Sequence, residues 1–347
     1  MAVPLQRSPA STRDLVRHWL SETPVGAEID TETVDIAVPS NGFSAETWQL
    51  TALGHDGYRR RLVIRVGATG DGVYPTESIV AQAETLRAVR RHSDVPVPAV
   101  LAVEPDPGLL GAPFFLMEHV AGRVPPDFPS YHRGGWVADL VPSERTAVWW
   151  SALTVLERLH TISADTPGLP YLGPAGPAAQ VRYWTDALDF YGCAGDPVIQ
   201  RARRWLTANL PVRQSPYTLL WGDARLGNII YDGTEVAALV DWEMAGYGEP
   251  ESDLAWFLYL DRNLSSGIGA PRLYGLPDRQ RTVEAYAALS GRSLHNLEFY
   301  EVLAGFKFAL ITAAVTRRAV NAGLVTDRPF PLHRNAVALL DATLEAL

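Results

Sequence analysis

Apolar and polar positions along the chain follow two periods, and the change between them divides it. From Val34 to Val66 the period is close to two. Val34, Ile36 and Val38 alternate with polar or small partners, residues 46–53 are rich in β-formers, and residues 61–66 alternate again. The joining segments, Pro39-Ser40-Asn41-Gly42-Phe43-Ser44 and Gly54-His55-Asp56-Gly57, carry turn chemistry, so an antiparallel meander is predicted. In its third strand Leu62, Ile64 and Val66 share one face and Arg61, Val63 and Arg65 the other. Ahead of the meander, residues 14–20 have helical spacing behind Ser11, an expected N-cap with Asp14 at its third position. Behind it, Ile79, Val80, Ala83, Leu86 and Val89 form the stripe of a helix that Pro75 and Thr76 open and Pro96 and Pro98 close. Two more strands are predicted, at 99–104 and 114–119.

Past Gly122 the period changes. Residues 122–135, rich in proline, glycine and aromatics, read as a linker or loop. Helical patterns then dominate, at 143–161, 181–190, 198–209 and several times after Asp253, with one β interruption at 218–240. The expected fold class is α+β: a small N-terminal domain (1–116) with an antiparallel sheet and one helix, a short connection (117–122), and a larger, mostly helical domain (123–347). A length of 347 residues fits two such units.

Composition narrows the function classes. A net charge of −9, with no run of five or six like charges, argues against a nucleic-acid partner and for a small one. The single Cys193 excludes an internal disulfide. The N-terminal residues lack an apolar signal region, and the longest apolar stretch, 302–315, is too short for a bilayer and interrupted by Lys307; a cytoplasmic protein without membrane contact is expected. Of the 30 basic residues only Lys307 is lysine, so lysine chemistry is confined to that position.

The chemistry concentrates in Leu219-Leu220-Trp221-Gly222-Asp223-Ala224-Arg225-Leu226-Gly227-Asn228-Ile229-Ile230-Tyr231, followed by the strand signal 236–240 and Asp241-Trp242-Glu243. An Asp232-Gly233 turn between the two apolar runs suits a tight hairpin. Carboxylates at the ends of buried strands need a pairing group, a hydrogen-bond donor or a metal. The string W-G-D-A-R-L-G-N-I-I-Y and then V-D-W-E resembles the aminoglycoside phosphotransferase and choline kinase-like superfamily. Within it, the similarity is closest to the kinase-like domains found alone in actinobacteria or fused to acyl-CoA dehydrogenases.

That resemblance implies a two-lobed protein-kinase-like fold and transfer of the terminal phosphate of ATP or GTP to a hydroxyl of a small molecule. It implies Asp223 as the group that orients and deprotonates the acceptor hydroxyl, and Asn228 and Asp241 as Mg²⁺ ligands in a metal-binding segment 241–243 that follows the catalytic loop 221–228. Arg225 either faces the transferring phosphate or pairs with a carboxylate such as Glu243 or Asp253. Asp253 is expected to brace the catalytic loop, and His160 to be structural.

Three departures from the kinase pattern stand out. The third strand carries Leu62-Val63-Ile64-Arg65 where kinases carry V-A-I-K, so Arg65 has to serve as phosphate clamp, with Glu84 of the following helix as its partner. No G-x-G-x-x-G is present; Ser40, Asn41 and Ser44 of the first hairpin turn are the candidates for cradling phosphate. Trp221 stands where the family usually has histidine and is expected to alter packing rather than chemistry. Glu118 and Val120, in the connection, would bond the nucleotide base through their backbone, although an edge strand entering a loop would look the same. The aromatics Phe128, Tyr131, Trp136, Trp149, Trp150, Tyr183, Trp184, Phe190 and Tyr191 are expected to be mostly core, and any at the acceptor site would favour an apolar acceptor body. The missing lysine and glycine-rich loop keep an alternative open, a nucleotide-binding pseudokinase without transfer activity.

Overall fold

The computed structural model describes residues 7–37, 46–68, 72–76, 78–213, 216–323 and 331–347. It divides into two units: Met1–Arg87 with Pro98–Val120 and Arg317–Arg328, and Ala88–Val97 with Ala121–Thr316 and Pro329–Leu347.

The first unit is built on a five-stranded antiparallel sheet. Strands β1 (Ile29–Ala37), β2 (Glu46–Gly54) and β3 (Arg59–Val66) form the meander, and β4 (Val100–Glu104) and β5 (Phe114–Glu118) extend it in the order β1-β2-β3-β5-β4. Alternation decides the faces. Leu62, Ile64 and Val66 join Trp48, Leu50 and Ala52 in a core closed by Val16, Trp19 and Leu20 of helix α1 (Pro9–Ser21). Helix α1 begins earlier than its spacing suggested: Pro9 takes the first position and Ser8, not Ser11, precedes it. On the opposite face of β3, Arg65 is buried and reaches helix α2 (Ile79–His92).

The second unit is mostly helical. Helices α3 (Trp136–Asp139), α4 (Pro142–Leu159), α5 (Pro177–Asp186), α6 (Leu188–Tyr191) and α7 (Pro197–Ala208) precede three short strands, β6 (Thr218–Leu220), β7 (Ile229–Asp232) and β8 (Glu235–Leu239). The single helix expected at 181–190 is two, α5 and α6. Strand β7 pairs with β8 across the predicted Asp232-Gly233 hairpin, with Gly233 at positive φ. Strand β6 pairs instead with β9 (Gly246–Gly248), a strand too short to leave a sequence signal. Helices α8 (Glu251–Leu264), α9 (Arg279–Ser290), α10 (Leu297–Asn321) and α11 (Pro331–Glu345) complete the unit apart from the C-terminal turn of α10. Against the sequence expectation, α10 is long and apolar enough to cross a bilayer, but 78% of its most apolar window is buried inside the protein.

Candidate active site

The site is held by a loop between β6 and β7. Its first residues are fixed by one carboxylate: Asp253, on the first turn of α8, accepts hydrogen bonds from the backbone N–H of Trp221 at 2.7 Å and of Gly222 at 2.9 Å. His160, at the end of α4, joins the same carboxylate through Nε2 at 3.1 Å and contacts the Tyr286 hydroxyl through Nδ1 at 2.6 Å. Asp253 is 1% exposed, so these partners replace the water it has lost. Both residues thus sit in the bracing and structural places expected of them. Gly222 adopts φ +88°, and a Cβ there would lie 1.9 Å from the Met244 carbonyl oxygen, so the glycine before Asp223 is sterically required. Trp221 is buried against Trp242 and donates its indole N–H to the Val240 carbonyl at 2.9 Å, a packing role that also ties the loop to the end of β8.

Asp223 is the focus of three donors. Trp256 Nε1 bonds Oδ1 at 2.7 Å; Asn228 Nδ2 and Arg225 Nε bond Oδ2 at 2.7 and 3.1 Å. A carboxylate has about four accepting positions. The arrangement fills both on Oδ2 and one on Oδ1, so the remaining position on Oδ1 has a fixed direction. Asn228 Nδ2 also bonds the Asp223 carbonyl at 3.1 Å, which commits the amide nitrogen inward and leaves Oδ1 without a partner among the described residues.

The β7–β8 ladder brings Asn228 and Asp241 to the same end. Ile229 pairs with Leu239, and the Val240 N–H donates to the Asn228 carbonyl at 3.0 Å, which places Asp241 one residue beyond that bond. Asp241 has φ +63°, a left-handed conformation that costs a non-glycine residue about 1–3 kcal/mol. Two hard oxygen donors, an amide and a carboxylate, suit Mg²⁺ completed by phosphates and water. Among the described residues no cluster of three His, Cys, Asp or Glu could hold a metal by itself, which an ion held partly by phosphates does not need.

Arg225 pairs with neither Glu243 nor Asp253. Its Nη1 bonds Asp127 at 2.5 Å while Nε holds Asp223, so the guanidinium bridges two carboxylates. Burial works against its charge, but Asp127 and Asp223 more than offset that and raise its pKa. Nη2 has no partner among the described residues. Asp127 was not legible in the sequence, where it is one more polar residue in a loop. That loop is anchored by buried groups: Tyr131 donates to Asp261 at 2.7 Å, His132 pairs with the same carboxylate at 3.1 Å, and Arg272 reaches its other oxygen at 2.7 Å. Burial alone would raise the Asp261 pKa; His132 and Arg272 together hold it below the ordinary value. Trp256 was missed as well, because a helical tryptophan reads as core. Of the aromatics named above, Tyr131, Trp149, Trp184 and Tyr191 are buried, while Phe128, Tyr183 and Phe190 are exposed.

In the first unit, Arg65 donates from Nε to Gln82 Oε1 at 3.0 Å, both residues being buried. This corrects the expected pairing. Glu84 is exposed and makes no bond or ion pair among the described residues, because two positions along a helix turn a side chain by about 200°, to the opposite face. Glu118 ends β5 opposite Leu62 with its backbone N–H on Ala99, and the Val120 N–H has no partner among the described residues. Ser40, Asn41 and Ser44 lie outside the described residues.

A small antiparallel sheet with helices α1 and α2, and a helical unit presenting an aspartate, an asparagine five residues on and a further aspartate after the next hairpin, together define a kinase-like phosphotransferase fold. The chain belongs to the phosphotransferase enzyme family, whose model matches residues 35–291. It is 31% identical over 276 residues to acyl-CoA dehydrogenase family member 10 of Mus musculus, a match covering 75% of this chain and 25% of that protein. To the probable acyl-CoA dehydrogenase IBR3 of Arabidopsis thaliana it is 26% identical, over 78% of this chain and 34% of that one. The chain thus spans a quarter to a third of these relatives. Among solved structures, a Ralstonia eutropha JMP134 protein assigned as an aminoglycoside phosphotransferase superposes with a TM-score of 0.73 at 21% identity, covering 96% of this chain and 97% of that one. A thermostable mutant of aminoglycoside phosphotransferase APH(4)-Ia, in ternary complex with AMP-PNP and hygromycin B, gives 0.60 at 15% identity, covering 95% and 98%. Macrolide 2'-phosphotransferase MphH of Brachybacterium faecium gives 0.56 at 18%, covering 94% and 98%. At these identities the structural matches speak for the fold.

Proposed function

We propose that this chain is an O-phosphotransferase that moves the terminal phosphate of ATP or GTP to a hydroxyl of a small molecule. The observation that carries the reading is the Asp223 carboxylate, oriented by Trp256, Asn228 and Arg225 with one accepting position left on Oδ1. A hydroxyl donating to that position is aligned for attack, and the carboxylate takes its proton as the new O–P bond forms. Asn228 and Asp241 would hold Mg²⁺, which when bound neutralises charge on the nucleotide phosphates. Arg225, fixed through Nε and Nη1, offers Nη2 to the transferring phosphate. In the first unit, Arg65 is the proposed phosphate clamp, and the backbone of Glu118 and Val120 the contact for the base. Ser40, Asn41 and Ser44 remain proposed phosphate contacts on sequence grounds. A helix α10 buried over most of its length supports reading it as a core helix of a cytoplasmic protein.

The test is a panel of hydroxyl compounds, including aminoglycosides, macrolides, hydroxyacyl-CoAs and choline-like alcohols, assayed for acceptor-dependent ADP or GDP release. Nucleotide binding without release from any acceptor favours the pseudokinase reading.

A further inference from the structure

One buried charge takes no part in the proposed transfer. Lys307, the only lysine, lies mid-way along α10 and is 5% exposed. It makes no hydrogen bond or ion pair with any described residue, yet Nζ is not among the fully enclosed unpartnered polar atoms, so its residual exposure includes the ammonium. Its contacts are aromatic: Nζ lies 4.8 Å from the ring centroid of Trp256 and 5.7 Å from that of Trp184. Trp256 is also the residue whose indole N–H bonds Asp223 Oδ1. One indole therefore carries the proposed base on its N–H and the ammonium over its face.

Ring faces alone are poor compensation. A cation–π contact recovers only a small part of the hydration that a buried ion without a counter-ion loses. Burial accordingly pulls the Lys307 pKa down to about 8, with the more distant Asp253 and Asp223 carboxylates pulling it back up. A group at that value is still mostly charged near neutral pH. Arginine, used at every other basic position, would bring a wide planar fork; the compact ammonium fits beside two indoles and directs its donors at whatever enters.

We propose that Lys307, flanked by Trp184 and Trp256, is the acceptor-side anion subsite, selecting a hydroxyl compound that also carries an oxyanion, either a carboxylate or a phosphoryl group. The proposal rests on the phosphotransferase reading, which puts the acceptor hydroxyl at Asp223. An oxyanion there supplies the missing counter-charge, while a polycationic acceptor meets like charge.

A single lysine makes the test direct. Protein carrying lysine labelled with ¹³C at Cε and ¹⁵N at Nζ gives one side-chain signal, which can be followed against lactate, glycerol phosphate, propylene glycol and ethanolamine. A saturable shift with lactate or glycerol phosphate, and none with the neutral or cationic compound, is expected; which anion acts distinguishes carboxylate from phosphoryl. A signal that no anion moves, or that propylene glycol moves equally, overturns the subsite, whatever the enzyme assay gives. Conversely, a responding signal with no nucleotide turnover from any acceptor upholds the subsite and removes the phosphotransfer reading. In steady state, Lys307→Met is expected to raise KM for an anionic acceptor about tenfold or more, with kcat retained and neutral acceptors unaffected. An equal loss of kcat for both acceptor classes would mark a structural lysine and contradict the proposal.

Discussion

The Asp223 carboxylate is held in a fixed direction. Two donors from its own loop and one from α8 leave it one way to accept a fourth bond, and mutations at this scale should separate chemistry from folding. At Asp241, asparagine tolerates the left-handed backbone but lacks the charge. Asp241→Asn is therefore expected to keep the wild-type unfolding midpoint while weakening Mg²⁺-dependent nucleotide binding about tenfold or more, measured by titration calorimetry with and without Mg²⁺. Lys307 gives a prediction with a definite sign. Its pKa is about 8 in the folded protein against an ordinary 10.5, so between those values the unfolded chain binds more protons and stability rises with pH. Lys307→Met should thus gain most, relative to wild type, below about pH 8, and the difference should shrink toward 10.5 in denaturant unfolding at a series of pH values. A constant difference would mean that the ammonium is not desolvated. That Asp223 and Asn228 meet in one loop, and that the following hairpin returns Asp241 to the Asn228 end, was legible in the sequence because those spacings are short. Asp127 and Trp256 could not, since their bonds to this loop span 98 and 33 residues.

Among the elements, the loop between β6 and β7 depends on α8 more than on its own sequence. Asp253 carries the backbone N–H groups of two successive loop residues, each costing about 1–3 kcal/mol if left buried without a partner. Asp253→Ala is expected to lower stability by about 3–5 kcal/mol in urea unfolding, with Asp253→Asn intermediate because one of its two oxygens becomes a donor. A loss under about 1 kcal/mol would show that the loop holds itself. Most strands and helices of this chain were legible as elements because alternation and helical spacing are local; β9, at three residues, was not. Facing was less so: for α2 the sequence pointed to Glu84, but the side chain that meets Arg65 is Gln82, an uncharged amide with nothing in the linear pattern to mark it. Arg65→Ala should therefore leave the fold intact and weaken nucleotide affinity; unchanged affinity would leave the arginine a purely structural partner of Gln82.

For the molecule as a whole, the family is settled by a match spanning most of the chain, while the acceptor is a property of side chains that no family-wide pattern specifies. A site lined by Trp184, Trp256 and Lys307 differs in charge from one built for polycations, and it is the part of the protein least visible in the sequence, since three helices contribute to it. The claim on which everything else stands is that Asp223 is the acceptor-side base of a phosphoryl transfer. The direct measurement is acceptor-dependent release of ADP or GDP, with Mg²⁺, by wild type and Asp223→Asn, beside nucleotide affinity for both. The expected result is a fall of about a hundredfold to ten-thousandfold in turnover with nucleotide affinity within about twofold of wild type. Equal turnover by the two proteins, or loss of nucleotide binding together with activity, would contradict it.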